Sequence, residues 1–314
     1  MQYIIDAPYD GVMLKQYLCD ALGLSRRLLT RLKQHPSGIL LDGRRVTVRA
    51  TLRTGQVLTL ALEDTPDTKG GIIVPSATLP DILYEDEDIL VCNKPFGMPT
   101  HPSHGHFDDT LANAVAHYDV KVKGQAGVFR PINRLDRDTS GVVLIARHQL
   151  AAARLSEAMR EGRIRKRYLT ILEGVPPCRD GLIDASICRE RESIITRCIC
   201  PPDAPGAHEA LTHYRIVARW SVGSHERSLV CAEPRTGRTH QLRLHFAHVG
   251  APIAGDTMYG RSFDGVPTPA RQALHAYSLT FPHPTTGKTV TAVAPLGDDL
   301  RAYLPPFPIS QENA

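Results

Sequence analysis

No aliphatic run in the chain approaches membrane-spanning length: the longest, "GVVLIA", falls far short of the roughly 20 apolar residues a bilayer requires. The opening "MQYIIDAPYDGVML" lacks the basic stretch and long apolar segment of a secretory leader, which leads us to expect a cytoplasmic protein. Cysteines stand at 19, 92, 178, 188, 198, 200 and 231, with no C-x-x-C pair and no compact even-numbered framework. That spacing argues against a disulfide scaffold and agrees with a reducing compartment. Internal repeats are also missing, and the net charge over 314 residues is only +4.

What charge there is lies unevenly. Residues 1–62 hold nine basic residues and four acids, a net +5, so the remainder carries −1. A basic module favours a polyanionic partner. Within it, Leu14, Leu18, Ala21 and Leu22 recur as on one helix face, and Ser25 reads as the cap of a second helix, "RRLLTRLKQ", stopped by Pro36. Leu28, Leu29 and Leu32 face one side of that helix and Arg27 and Arg31 the other. "ILLDGRRV" predicts a hairpin turning at Asp42-Gly43, and "GQVLTLAL" a closing strand. Two small helices followed by a hairpin resemble the S4-like RNA-binding domain; an ordinary solvated basic face is the plainer alternative.

Residues 63–80, rich in Pro, Gly, Thr and Asp, read as a linker. Between 81 and 304, strand-like runs ("ILY", "DILVCNK", "GVVLIA", "RYLTILEG", "LTHYRIVAR", "RSLVCAEP") outnumber the helical patterns "DDTLANAVAHY" and "LAAARLSEAMREG" and do not alternate with them. This predicts an α+β domain with a mixed, largely antiparallel sheet rather than a doubly wound one. Residues 305–314 read as a loose tail.

The stretch "INRLDRDTSG" places Arg134, Asp136, Arg137 and Asp138 between a strand end and "GVVLIA". A carboxylate beside an arginine stays ionised and oriented, which suits a nucleophile or general base. Spacing alone does not choose between Asp136 and Asp138, and a turn with solvated ion pairs is the bland alternative. The basic run Arg160, Arg163, Arg165, Lys166, Arg167 leads into Tyr168 and offers phosphate contacts or a solvated helix end. "RTGRTHQLRLHFAHVG" reads as a turn and then a helix from about Thr239 to His248, with Arg238 and Arg243 near its amino end.

Taken together, "RLDRDTSGVVLIA", "VCNKPFGMPTHPS", "RKRYLTILEG" and "RTGRTHQLRLHFAHVGAPIAGDTMYG" resemble, in order, the motifs of the RluA-type RNA pseudouridine synthases. The resemblance implies isomerisation of uridine to pseudouridine in structured RNA, with ribosomal RNA favoured over transfer RNA, no cofactor, and a monomer. It identifies Asp136 as the catalytic aspartate, Tyr168 as the tyrosine against the target base, and Arg243 as the aspartate's partner. It makes Arg134 the residue that fills the space of the flipped base. Arg238, Lys94, Arg165, Lys166, Arg27 and Arg31 complete the expected RNA contacts. Asn133 stands where many relatives have histidine, a departure that touches only a secondary contact.

Two rival functions remain open on sequence grounds. One is a non-catalytic RNA-binding or ribosome-assembly factor that keeps the fold. The other is a metal-dependent hydrolase using His101, His104, His106, Asp108 and Asp109, although Asp108, Asp109 and Thr110 are also explained as the cap of the following helix. Cys188, Cys198 and Cys200 are too irregularly spaced for a zinc site.

Overall fold

The computed structural model describes residues 1–24, 26–62, 73–190, 193 and 195–305, with Arg27 described by its backbone only. The expected cap at Ser25, the side chain of Arg27, residues 63–72 of the expected linker and residues 306–314 of the expected tail lie outside the described residues.

Residues 1–62 build a small sheet of β1 (Gln2–Ile4), β4 (Val57–Leu60), β2 (Ile39–Leu41) and β3 (Arg44–Arg45), in that order and antiparallel throughout. Asp42 and Gly43 both adopt positive φ, 49° and 75°, as a two-residue hairpin turn of this twist requires. Over the sheet lie α1 (Leu14–Gln16), which runs on as a π turn through Tyr17–Ala21, and α2 (Arg26–Gln34). Leu14, Leu18, Leu28, Leu29 and Leu32 bury against Ile39, Leu41, Leu58 and Leu60. The predicted helices, hairpin and closing strand occur in that order, and β1, absent from the expectation, adds a further strand beside β4. The same core takes in Leu150 from α4 (Gln149–Arg160), and Arg154 of α4 donates to the Leu22 carbonyl through Nε at 3.1 Å and Nη2 at 2.7 Å.

Among the described residues the larger sheet has nine strands: β5 (Asp81–Glu85), β6 (Ile89–Lys94), β7 (Ser140–Ala146), β8 (Arg165–Glu173), β9 (Asp180–Asp184), β12 (Leu211–Val222), β13 (His225–Pro234), β14 (Leu274–Pro282) and β15 (Thr289–Val293). Their order is β5-β6-β7-β14-β8-β13-β12-β9, with β15 on β14. Among the described residues only β7 and β14 run parallel, so the α+β class and the mixed, largely antiparallel sheet are as expected. A separate hairpin pairs β10 (Ile187–Arg189) with β11 (Arg197–Ile199).

Strand alternation sorts the core into two layers. Leu90, Cys92, Val143 and Ile145 face α3 (Leu111–Lys123) and α5 (Gln241–His248), while Ile89, Val91, Val142 and Leu144 face Ala151, Leu155 and Ala158 of α4. Both faces of the central strands are covered, so their sequences read as continuous apolar runs. The cleft opens where the 131–139 loop, the end of α4, strand β8 and the start of α5 meet.

Candidate active site

The loop between Asn133 and Ser140 is fixed at almost every residue. Asn133 uses its amide as a strand would, donating to Val142 O (2.9 Å) and accepting from Leu144 N (2.8 Å). Both backbone polar groups of Leu135 bond to the Thr100 hydroxyl. Thr139 N closes a turn onto Asp136 O at 3.1 Å, and Gln272 holds the Thr139 hydroxyl at 2.8 Å. Arg271 donates to Asp138 O and Ser140 Oγ and is itself paired with Asp299 at 2.7 Å. His275 also bonds Ser140 Oγ, at 2.8 Å. A carboxylate on such a loop is preorganised, because little backbone freedom is left to lose when substrate enters.

Lys94 belongs to this scaffold and not to the RNA surface. It has no exposed area, and its ammonium donates to the carbonyls of Pro95, Met98 and Arg137 at 2.9, 2.6 and 3.0 Å. Burial pushes it down to about 7, against the attraction of Asp136 and Asp138. The expectation that it contacts RNA is thus corrected: all three ammonium protons are committed inside.

The structure separates the two aspartates that spacing left open. Asp138 turns outward and forms a two-pronged pair with its exposed neighbour Arg137. Asp136 lines a cleft of about 680 Å³, together with Arg134, Lys166, Tyr168, Arg238, His240 and Arg243. The Asp136 carboxylate lies 3.7 Å from Arg243 Nη1. Arg243 nevertheless holds a closer partner, Asp256, through Nε at 2.6 Å and Nη2 at 2.7 Å, and stacks over the Tyr259 ring at 5.2 Å. Burial alone would lower the Arg243 pKa, but the bonds to Asp256 outweigh it and keep the charge on. Likewise, burial would raise Asp256, and the guanidinium holds its carboxyl below the usual range. The buried pair therefore presents a guanidinium face to Asp136.

Tyr168, in mid-strand on β8, is nearly enclosed; burial first, then the nearby Asp136 charge, pushes its hydroxyl above the ordinary range, so it stays protonated. Alternation along β8 splits the basic run. Lys166 shares the cleft face with Tyr168 and donates to Thr236 O at 3.1 Å, with its pKa lowered by burial. Arg165 and Arg167 fall on the other side: Arg167 pairs with Glu233 at 2.9 Å, and Arg165 is exposed outside the cleft, which corrects its assignment to the site. Arg160, from the end of α4, does reach the cleft. Arg238 also lines it, anchored on Glu209 O at 3.0 Å. Arg31 sits on the 1–62 module and lines no part of the cleft.

The metal alternative does not assemble. In the 101–109 stretch, His106 Nδ1 meets Asp109 at 2.6 Å near the surface, and His101 packs against Phe129. The ligand-like group that does converge among the described residues is Asp86, Asp88 and His283, joined by His148 at 2.7 Å from Asp88. Each of its histidines accepts backbone N–H at Nδ1, from Ala151 in one case and from Thr285 and Thr286 in the other. Their Nε2 protons therefore face the carboxylates, a hydrogen-bonded staple in place of lone pairs aimed at an ion.

Residues 88–248, half of the chain and the part that frames this cleft, match the RNA pseudouridylate synthase family. The chain belongs to that family. It is 35% identical to the uncharacterized RNA pseudouridine synthase YjbO of Bacillus subtilis, over 89% of this chain and 94% of that relative. It is 36% identical to the ribosomal large subunit pseudouridine synthase D of Zymomonas mobilis, over 74% of each chain. Among solved structures, human RNA pseudouridylate synthase domain containing 1 superposes with a TM-score of 0.57 at 28% identity, covering 71% of this chain and 86% of that one. As an RluA-type synthase the protein isomerises uridine in RNA to pseudouridine.

Several residues of this synthase's site escaped sequence reasoning: Asp256, Tyr259, His240, Arg271 and Gln272. Asp256 and Tyr259 stand in "GDTMYG", where only their place in a family segment singled them out. Arg271 and Gln272 lie 133 positions from the loop atoms they hold, and no local pattern announces them.

Proposed function

We propose that this synthase modifies one or a few uridines of large-subunit ribosomal RNA, with Asp136 as its catalytic carboxylate. The observation that carries the reading is the convergence of Asp136, Tyr168 and Arg243 on one cleft wall, held by a braced loop and a buried ion pair. Breaking the N1–C1′ bond, turning the base and rejoining it through C5 conserves every atom and moves no electrons to an acceptor, so the chemistry calls for no cofactor. Asp136 acts at the sugar, where Arg243 aims it. Tyr168 lies against the uracil ring, and Arg134 fills the space the extruded base leaves. RNA seated over the open cleft keeps water from the detached base and sugar.

Arg238, Lys166 and Arg160 supply cations for the phosphates on either side. Residues 1–62 act as an S4-like RNA-binding module. Their groove of about 630 Å³, floored by Leu32, Ile39, Val46 and Val48 and edged by Lys33, Arg45 and Arg49, suits an RNA backbone. The ribosomal substrate is supported by the names of relatives such as the Zymomonas enzyme. The protein works as a cytoplasmic monomer; among the described residues no helix is long and apolar enough to cross a membrane.

Site-mapped nucleoside mass spectrometry on unmodified large-subunit ribosomal and transfer RNA transcripts tests the substrate. Pseudouridine at discrete ribosomal positions is expected. Modification of transfer RNA alone would overturn the ribosomal reading, and tight binding without modification of any transcript would favour a non-catalytic assembly factor.

A further inference from the structure

His240 is held in a conformation that its place in the fold does not require. With φ 58° and ψ 19° it is one of only two non-glycine residues with positive φ among those described, and the other, Asp42, sits in a hairpin turn that favours it. It stands at the N-cap of α5, yet its side chain caps nothing. Strain of this kind without a local structural return is concentrated at functional sites.

Its ring instead joins a chain of hydrogen bonds through Tyr259. The Tyr259 hydroxyl oxygen accepts the backbone N–H of Arg197 at 2.9 Å, and the same oxygen lies 2.9 Å from His240 Nδ1. In the Nε2–H tautomer the phenol donates its proton to Nδ1, and in the Nδ1–H tautomer the ring donates to the phenolic oxygen; the proposal takes the first. A neutral imidazole that accepts at Nδ1 carries its proton on Nε2. Burial, opposed by Asp136 and reinforced by Arg243, pushes the ring below the ordinary histidine range and so favours this neutral form. The ring lines the cleft that also holds Asp136 and Tyr168.

We propose that His240 is a catalytic residue that donates its Nε2–H to a carbonyl oxygen of the extruded uracil. The inference rests on the Asp136 reading of the cleft. When the N1–C1′ bond breaks, its electron pair stays with the base, and the negative charge spreads onto the ring carbonyls. A neutral donor on the cleft wall, within reach of one of them, gains strength as that charge develops. The arginines and Lys166 suit the phosphates; a neutral N–H suits a carbonyl that becomes anionic only during reaction.

The test compares wild type, His240→Gly and His240→Asn on an unmodified large-subunit ribosomal RNA transcript under single-turnover conditions, with thermal unfolding and RNA affinity measured alongside. Glycine and asparagine both tolerate the left-handed backbone, which offsets the loss of the Tyr259 bond, so each variant should stay folded with only a modest change in unfolding temperature. RNA affinity should stay within about twofold while the rate of pseudouridine formation falls on the order of 100-fold. An unchanged rate, or a loss confined to affinity, would overturn the proposal. Nitrogen-15 NMR of the wild-type imidazole at pH 7 tests it without any RNA: the Nε2–H tautomer is expected, and an Nδ1–H tautomer or an imidazolium contradicts it. An inactive wild type would refute the substrate reading above, an outcome distinct from either of these.

Discussion

Arg243 lies between two carboxylates, and the geometry divides its bonds unequally. Two short bonds go to buried Asp256, and one longer contact reaches the partly exposed Asp136. Asp256 in turn accepts the backbone N–H groups of Met258 and Tyr259, so its orientation is set before Arg243 arrives. Removing it leaves a buried guanidinium without its main counter-charge. Asp256→Asn should therefore lose about 3 kcal/mol of stability at pH 7 in a denaturant titration. The sign of the pH dependence follows from the depressed Asp256 pKa: its stabilisation is present above the carboxylate's unfolded value and is lost as pH falls through the folded one. The gap between wild type and variant should accordingly close in acid, and a gap independent of pH would contradict the pairing. From sequence, "R-L-D" and "H-Q-L-R" were visible as chemistry. Asp256 was not, because it lies 13 positions along helix and loop from the arginine it holds.

At the level of elements, the parallel contact of β7 with β14 decides where the Asp136 loop ends. Gly141 has φ +115°, and a Cβ there would stand 2.2 Å from the Ala276 carbonyl oxygen. Gly141→Ala should thus cost more than about 3 kcal/mol or prevent folding, as read by soluble yield and thermal unfolding. A milder change serves as the comparison. Thr110 caps α3 in a reciprocal box with Asn113, so Thr110→Ala should cost about 1 kcal/mol in the same assay while leaving the cleft intact. Helices, hairpin and most strands were legible because periodicity reports which face is buried. Lys94 and Arg165 were misread for the complementary reason. A cation's role depends on what lies across from it, and neither the three carbonyls around Lys94 nor the outward face of β8 can be read from neighbours in sequence. "TSG" reads as turn chemistry, whereas Ser140 and Gly141 already belong to β7, where the loop's cross-braces from Arg271 and His275 attach.

Over the whole molecule, the positive charge of residues 1–62 is carried on a module that shares a core with α4, and the far end of α4 lines the cleft through Met159 and Arg160. One helix thus links the core of the basic module to the cleft wall. Arg45 and Arg49 are exposed on that groove. If each neutralises one phosphate, Arg45→Ala/Arg49→Ala should flatten the logarithmic salt dependence of RNA binding by about 1.4 to 1.8, with turnover at saturating RNA little changed. An unaltered slope would place the RNA elsewhere. The charge asymmetry was evident in the sequence, whereas the docking through Leu150 and Arg154 was not, since it joins segments more than 100 residues apart.

The most direct test of the account is the single-turnover rate of Asp136→Asn beside its RNA affinity, measured on a transcript that the wild type modifies. The substitution keeps the size, removes the charge and replaces one acceptor oxygen with an amide donor. Undetectable pseudouridine with affinity within about twofold of wild type is the expected result. Substantial modification by the variant would contradict the assignment of the catalytic carboxylate, and with it the reading of the cleft.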